Sequence, residues 1–341
     1  MDKSLRIIDA NLNRAREGLR TAEEYARLVA SDSVSAQALK DVRRHIQTCA
    51  EAFGPELLAA RDIQRDVGVR PDADDVSRGT EKDVTAAGLK RAQEALRVIE
   101  EFAQLHSPTA AAAAAKARYR LYAAEQQLLV TAPRRLILRD SPVMAVFSDA
   151  SLYETWRDVL SSLLDAGCRL FQLREKTGTT RNFFDFARAF LHIADKSDAL
   201  VIINDRPDIA SATGAGGVHI GQTDLPLPQT RAIMGPAAII GVSTHDSAEA
   251  LDAQDEGADY VGLGAMFPTD TKNVQSVTGP RGVSEVRVDI PVFCIGGITR
   301  ANVGELAGHG ARHIAVSSAL LNAADPGAEY RALCQALGEQ A

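Results

Sequence analysis

The chain carries two rhythms of apolar spacing. In NLNRAREGLRTAEEYARL, Leu12, Ala15, Leu19, Ala22 and Ala26 recur at steps of three and four, one apolar helix face with Arg and Glu around it. Residues 1–131 read this way nearly throughout. After APRRLILRDSP, short β-branched runs alternate with amphipathic segments. VMAVFSD, CRLFQLR, LVIIND, GVHIG, AAIIGVS, DYVGLG, PVFCIGG and RHIAVSS are eight strand-like runs, and helical spacing at 153–166, 180–197, 248–256, 301–308 and 326–338 separates most of them. Eight βα units in about 200 residues predict a (β/α)₈ TIM barrel over 142–341. A doubly wound open sheet competes, disfavoured by the count of eight and the lack of an early GxGxxG. The fold class expected is α/β: a C-terminal barrel behind an all-α helical bundle of residues 1–131, with 132–141 as linker.

The helical half repeats itself. GLKRAQEALRVIEEFAQL matches the first segment at an offset of 77, pairing Arg14 with Arg91, Glu17 with Glu94, Leu19 with Leu96, Arg20 with Arg97 and Glu23 with Glu100. Each copy is followed by a second helical segment, near 36–52 and 110–129. Two copies are too few for a solenoid and predict a duplicated helical hairpin packed as a bundle. The Ala110–Ala115 run reads as a helix start. The repeated Arg and Glu positions leave two readings open: a solvated face laced with i,i+4 pairs such as Glu23/Arg27, or a polar site between the related helices.

Composition narrows the function. A hydrophobic share of 45% and a charged share of 24% suit a globular protein with real cores, and a net charge of −7 argues against nucleic-acid binding. The four cysteines show no CxxC spacing and read as buried free thiols. The start MDKSLRIIDA lacks an apolar leader core, and no run approaches a membrane span, so the expectation is a soluble, cytoplasmic protein with no membrane partner.

In a (β/α)₈ barrel the C-terminal strand ends share one mouth, so the residues just beyond each strand form the candidate site. Strand two ends in FQLREK; alternation sends Leu170, Gln172, Arg174 and Lys176 to one side. Two cations and an amide suit an anionic ligand, with surface charge paired to Glu175 as the plainer reading. Strands three and four end in Asn204-Asp205 and Gly221-Gln222-Thr223-Asp224. Each Asp alone reads as a helix N-cap before Pro207 or Pro226. Together they could share Mg²⁺ with phosphate oxygens and water. His219 reads as a packing residue, and Ser243 as a hydrogen-bond donor. GAMFPTDTKN offers Thr269, Thr271 and Lys272 on a loop that suits phosphate or forms a lid. Gly296-Gly297 and Ser317-Ser318, after strands seven and eight, lie where barrels commonly hold a phosphomonoester. Two anion sites and no activated nucleophile point to group transfer with diphosphate loss.

QLREK, IND, HIGQTD, GVSTH, GAMFPTDTK, IGGI and AVSSA, in this order over about 143–321, resemble the thiamine phosphate synthase family. The resemblance implies joining 4-amino-5-hydroxymethyl-2-methylpyrimidine diphosphate to 4-methyl-5-hydroxyethylthiazole phosphate, giving thiamine phosphate and diphosphate. It implies pyrimidine diphosphate binding by Gln172, Arg174, Lys176 and Asn204, with Ser243 and Lys272 also contacting it, Arg174, Lys176 and Lys272 as catalytic cations, and Glu175 and Asp270 among the substrate-binding residues. Asp205 and Asp224 would hold Mg²⁺; Thr269, Thr271, Gly297, Ser317 and Ser318 would meet the thiazole phosphate. Ser317 departs from the family's usual apolar-Ser pair, which leaves open which hydroxyl contributes. LNRAREGLR, RDIQRDVG and LKRAQEALRVIEEFA resemble a domain fused ahead of this synthase and proposed as a hydroxymethylpyrimidine phosphate kinase using ATP. No Walker A or kinase Gly-rich loop accompanies it. The rivals are a helical dimerisation or regulatory module, with a homodimer open, and a barrel that only senses thiamine intermediates.

Overall fold

The computed structural model describes residues 3–61, 79–149, 155–268 and 277–338. The chain divides into two compact units, Met1–Pro133 and Arg134–Ala341. Among the described residues no helix is long and apolar enough to cross a membrane.

The first unit is built from α1 (Lys3–Glu24), α2 (Ser33–Glu51), the short α3 (Glu56–Ala59), α4 (Glu81–Ala103) and α5 (Pro108–Gln126). Local chemistry sets the helix starts. Asp32 caps α2 by accepting from the Val34 and Ser35 amides, Thr80 and Asp83 form a capping box on α4, and Ser107 caps α5 with Pro108 in its first turn. Leu12, Ala15, Leu19 and Ala22 of α1 pack with Leu89, Ala92, Leu96 and Ile99 of α4 in one core, as the spacing predicts. The two helices run antiparallel, Ser4 meeting His106 at one end and Gly18 meeting Gly88 toward the other, and they touch at backbone range. A methyl group on Gly18 would lie 2.2 Å from the Gly88 carbonyl oxygen. The alanine run begins α5 as expected, burying Ala110, Ala111 and Ala114.

Charge on this bundle follows both readings. Arg20–Glu24 and Arg97–Glu101 are surface pairs at i,i+4. Glu23 is not paired with Arg27; it is buried at 3% exposure and meets Arg43 of α2 at 3.0 Å, while Arg27 meets Glu24. One residue of helical rotation turns Glu23 toward α2 and Glu24 toward solvent. The second copy repeats the arrangement, with Glu100 meeting Arg118 of α5 at 2.9 Å.

The second unit begins within α6 (Ala132–Asp140), a helix where the sequence reading places a linker. Leu138 enters the barrel's inner core, Arg135 pairs with Asp259 at 2.9 Å and Arg134 donates to the Ala237 carbonyl. These contacts make α6 a floor at the N-terminal ends of the strands. β1 (Val143–Ser148), β2 (Leu170–Arg174), β3 (Leu200–Asn204), β4 (Gly217–Ile220), β5 (Ile239–Thr244), β6 (Tyr260–Gly264), β7 (Val292–Ile295) and β8 (His313–Val316) form a closed parallel barrel. Val143 pairs with Ile314, joining β1 to β8 and ruling out the open sheet. The outer layer comprises α7 (Trp156–Asp165), α8 (Thr180–Ala194), α9 (Pro207–Thr213), α10 (Leu227–Met234), α11 (Ser247–Asp255), α12 (Arg281–Glu285), α13 (Val303–Gly308), α14 (Ser318–Leu321) and α15 (Pro326–Gly338).

Strand alternation divides the apolar residues into two cores. Met144, Val146, Leu170, Ile202, Ile239, Tyr260 and Phe293 fill the inside, while Phe147, Phe171, Leu173 and Ile203 face the helices, with Phe190 of α8 against Phe147 at 4.9 Å. All four cysteines are free; burial pushes the Cys168 and Cys294 thiols up to about 12.

Candidate active site

A cavity of about 550 Å³ opens at the C-terminal ends of the strands. Gln172, Arg174, Asn204, His219, Ser243, Gly297, Ser317 and Ser318 are among its lining residues. Gln172 and Asn204 are buried at 3% and 8% exposure, so their amides are held out of bulk water. Among the described residues Arg174 makes no side-chain ion pair, leaving its guanidinium open to an anion.

Beside the cavity the ends of β2, β3 and β4 gather charge. Lys176 Nζ contacts Asp205 Oδ2. Asp205 sits at φ +64°, and its amide donates to the His219 carbonyl at 2.7 Å, a bond that ties the end of β3 to β4. Asp224 accepts from the Gly221 amide at 2.7 Å and faces Asp205 within hydrogen-bonding reach. Neither acid caps a helix: the residues at those positions are Arg206 and Pro226. Burial works against charge on Asp205, but Lys176, with Asp224 and His219 behind it, outweighs it and holds the carboxyl below its ordinary value. Asp224 is pushed up, first by burial and then by Asp205 opposite it, against the Gly221 amide. One acid of the pair is thus easily ionised and the other less so.

Two carboxylates side by side, with no third His, Cys, Asp or Glu joining them among the described residues, fit a hard cation that keeps most of its shell for water and phosphate. The donor set suits magnesium and does not suit zinc, which favours nitrogen and sulfur ligands.

Glu175 stands apart from the cavity lining, its Oε1 accepting from the Gly178 amide at 3.3 Å and bracing its own loop. Thr269, Asp270, Thr271 and Lys272 lie outside the described residues. Gly296 and Gly297 have φ of +103° and +63°, and a methyl group on Gly297 would lie 2.5 Å from the Pro268 carbonyl oxygen. That glycine is needed for passage of the β6 loop as well as for an open mouth.

Two residues, Asp149 and Tyr260, escaped the sequence reading. Asp149, at φ +47°, donates its amide to the Arg174 carbonyl at 2.7 Å and accepts on Oδ1 from the Lys176 amide at 2.8 Å and the Thr177 amide at 3.2 Å. It thereby templates the loop that presents Arg174 and Lys176. The acid directly after the first strand, in VFSD, was the available signal. Tyr260 and His219 form a polar floor to the cavity: His219 Nδ1 lies 3.0 Å from the Tyr260 hydroxyl and Nε2 lies 2.9 Å from Ser243 Oγ. His219 packs, as expected, but on polar partners.

A closed βα barrel with cations, paired acids and small hydroxyl residues around one mouth defines the class: a barrel enzyme built for group transfer on anionic small molecules. Comparison narrows the class. A model described as thiamine monophosphate synthase matches residues 143–320, and that of the ThiD2 family matches residues 6–127. The thiamine-phosphate synthase of Gloeobacter violaceus is 40% identical over 326 residues, covering 95% of this chain and 94% of that protein. That of Synechocystis sp. is 36% identical, covering 94% and 92%. A solved thiamine phosphate pyrophosphorylase from Pyrococcus furiosus aligns with 60% of this chain and 98% of its own, at 34% identity and a TM-score of 0.54. The chain belongs to the thiamine-phosphate synthase family of transferases.

Proposed function

We propose that the barrel joins hydroxymethylpyrimidine diphosphate to hydroxyethylthiazole phosphate, forming thiamine phosphate and releasing diphosphate. The observation that carries this reading is the meeting of Arg174, Gln172 and Asn204 in one cavity with Lys176, Asp205 and Asp224 beside it. In the reaction, the bond between the pyrimidine's methylene carbon and the diphosphate oxygen breaks, and its electron pair leaves on diphosphate. The thiazole nitrogen then gives its lone pair to that carbon. Arg174 and Lys176 offset the charge growing on the leaving group, with Lys272 assigned the same duty by the family motif. Gln172 and Asn204 orient the pyrimidine diphosphate, and Gly297, Ser317 and Ser318 hold the thiazole phosphate together with Thr269 and Thr271. Asp205 and Asp224 would hold Mg²⁺, which when bound supplies further charge compensation on phosphate oxygens. No enzyme nucleophile is required: Cys168 and Cys294 are buried as thiols, and the His219 nitrogen away from Ser243 meets the Tyr260 hydroxyl, where a triad would have a carboxylate. The test is diphosphate release by the full chain with both substrates and Mg²⁺; release from neither substrate alone and from both together is expected. No release from the pair would overturn the reading.

For the helical unit we propose phosphoryl transfer from ATP to hydroxymethylpyrimidine phosphate, which would supply the barrel's substrate. The ThiD2 match over residues 6–127 supports it. The full chain should form ADP in proportion to added pyrimidine monophosphate. ADP at background would leave this unit as a structural or dimerisation module.

A further inference from the structure

The cavity floor contains polar groups that cost stability to bury and that no step of the proposed reaction uses. Tyr260 is 1% exposed, at the start of β6 among Met144, Val146 and Phe293. Phenylalanine would fill that core equally well. Instead the Tyr260 hydroxyl lies 3.0 Å from His219 Nδ1. The far nitrogen of His219 lies 2.9 Å from Ser243 Oγ. Both ends of this chain of contacts are cavity-lining side chains. The barrel gives up packing to make room for it. A methyl group on Gly241 would lie 2.1 Å from the Tyr260 ring, and one on Gly262 would lie 3.2 Å from the His219 ring. In the strand register His219 faces Gly241, Gly241 faces Tyr260 and Ser243 faces Gly262, so the vacancies fall beside the two rings.

We propose that Tyr260 and His219 are positioning residues that fix the orientation of Ser243 toward the pyrimidine diphosphate; this rests on the synthase reading. The phenol is the stronger donor and imidazole the stronger acceptor, so Tyr260 O–H donates to Nδ1. His219 is then the Nε2–H tautomer and donates to Ser243 Oγ. The Ser243 O–H is left to donate into the cavity. Tyr260 touches no substrate in this scheme and acts only through its neighbours.

The test has two readouts on the full chain. In protein labelled with ¹⁵N-histidine, the His219 signals, assigned by their loss in His219→Asn, should show a protonated Nε2 and bare Nδ1 at neutral pH. Tyr260→Phe should mix the tautomers. In diphosphate release, Tyr260→Phe should lower kcat/KM for the pyrimidine diphosphate about tenfold, the usual scale for an orienting partner. In a Ser243→Ala background the same change should add less than about twofold if the two act as one unit. A protonated Nδ1 in the parent protein, wild-type turnover in Tyr260→Phe, or effects that multiply in the double variant would each overturn the proposal. If the parent protein shows no turnover, the synthase reading fails by itself, and the tautomer signal still decides whether Tyr260 sets His219.

Discussion

Replacing Asp149 tests whether the active-site loop is held by geometry or merely tolerated. Its Oδ1 accepts from two amides and from the Thr177 hydroxyl, at 2.8–3.2 Å. Burial raises the Asp149 carboxyl, but the Lys176 amide and the other donors outweigh it, and the group stays below its ordinary value. Bonds to a charged acceptor contribute roughly 1.5–3 kcal/mol each when buried; for this part-exposed set about 2 kcal/mol in total is reasonable. At about 1.4 kcal/mol per tenfold, the population of ordered loop falls roughly 30-fold without them. Alanine would add about 1 kcal/mol of strain at φ +47°, so glycine is the cleaner removal. Asp149→Gly should lower kcat/KM for diphosphate release by roughly 30-fold, and Asp149→Asn, which keeps an acceptor oxygen and tolerates positive φ, by less than about fivefold. The pH dependence has a definite sign. A depressed carboxyl contributes stability above its unfolded pKa, about 3.9, and loses it as pH falls through the lower folded value. The stability gap between wild type and Asp149→Asn, read from urea melts, should therefore be flat near neutrality and close in acid below about pH 4. Wild-type turnover in Asp149→Gly would refute the template role, as would equal damage from Gly and Asn.

Asp205→Ala should reduce turnover by orders of magnitude with the circular-dichroism spectrum unchanged; near-normal Mg²⁺-dependent activity in that variant would remove Asp205 from the metal site. A chelator should abolish diphosphate release by the wild-type chain and added Mg²⁺ should restore it, while full activity in chelator would mean no metal is needed. Gly18→Ala gains about 1 kcal/mol in helix propensity, yet its methyl would sit 2.2 Å from the Gly88 oxygen, and forcing the helices apart costs about 1–3 kcal/mol. A lower unfolding midpoint is expected, and a raised one would show that the α1–α4 crossing relaxes freely.

Strand order and the inward set Leu170, Gln172 and Arg174 were legible because a two-residue period and a fixed parallel topology leave few choices. The Asp205–Asp224 pairing was legible as two acids on neighbouring strand ends, though each alone looked like a helix cap. What was hidden depends on backbone turns and on contacts across strands. Asp149 acts through its amide and one carboxylate oxygen on a loop 27 residues further along. Tyr260 looks like an ordinary apolar strand residue, and its role arises only when β4, β5 and β6 bring His219 to its hydroxyl and Ser243 to the far nitrogen of that ring. α6 was hidden for another reason: a charged stretch between two domains reads as a connector until Leu138 finds the inner core.

The duplicated half shows how far one sequence can be compared with itself. Residues kept in both copies divide by environment. Glu23 and Glu100 are kept where each meets an arginine from the following helix, Arg43 or Arg118, and those arginines are 75 positions apart, as are the caps Asp32 and Ser107. The offset changes from 77 to 75 between the first and second helices, so a fixed-offset search sees the first pair of helices and misses these partners. Once each helix is aligned separately, a partly buried cross-helix ion pair repeats in both halves. Such a pair costs desolvation and is weak evidence for stability, but it does select which helix faces which. The repeat of Glu23–Arg43 in Glu100–Arg118 is thus a docking rule between hairpin arms. Arg14, Glu17, Arg91 and Glu94 are kept as well, yet they are exposed, so packing does not explain them. If the helical unit transfers phosphoryl groups, these four are repeated charges with no side-chain ion pair among the described residues.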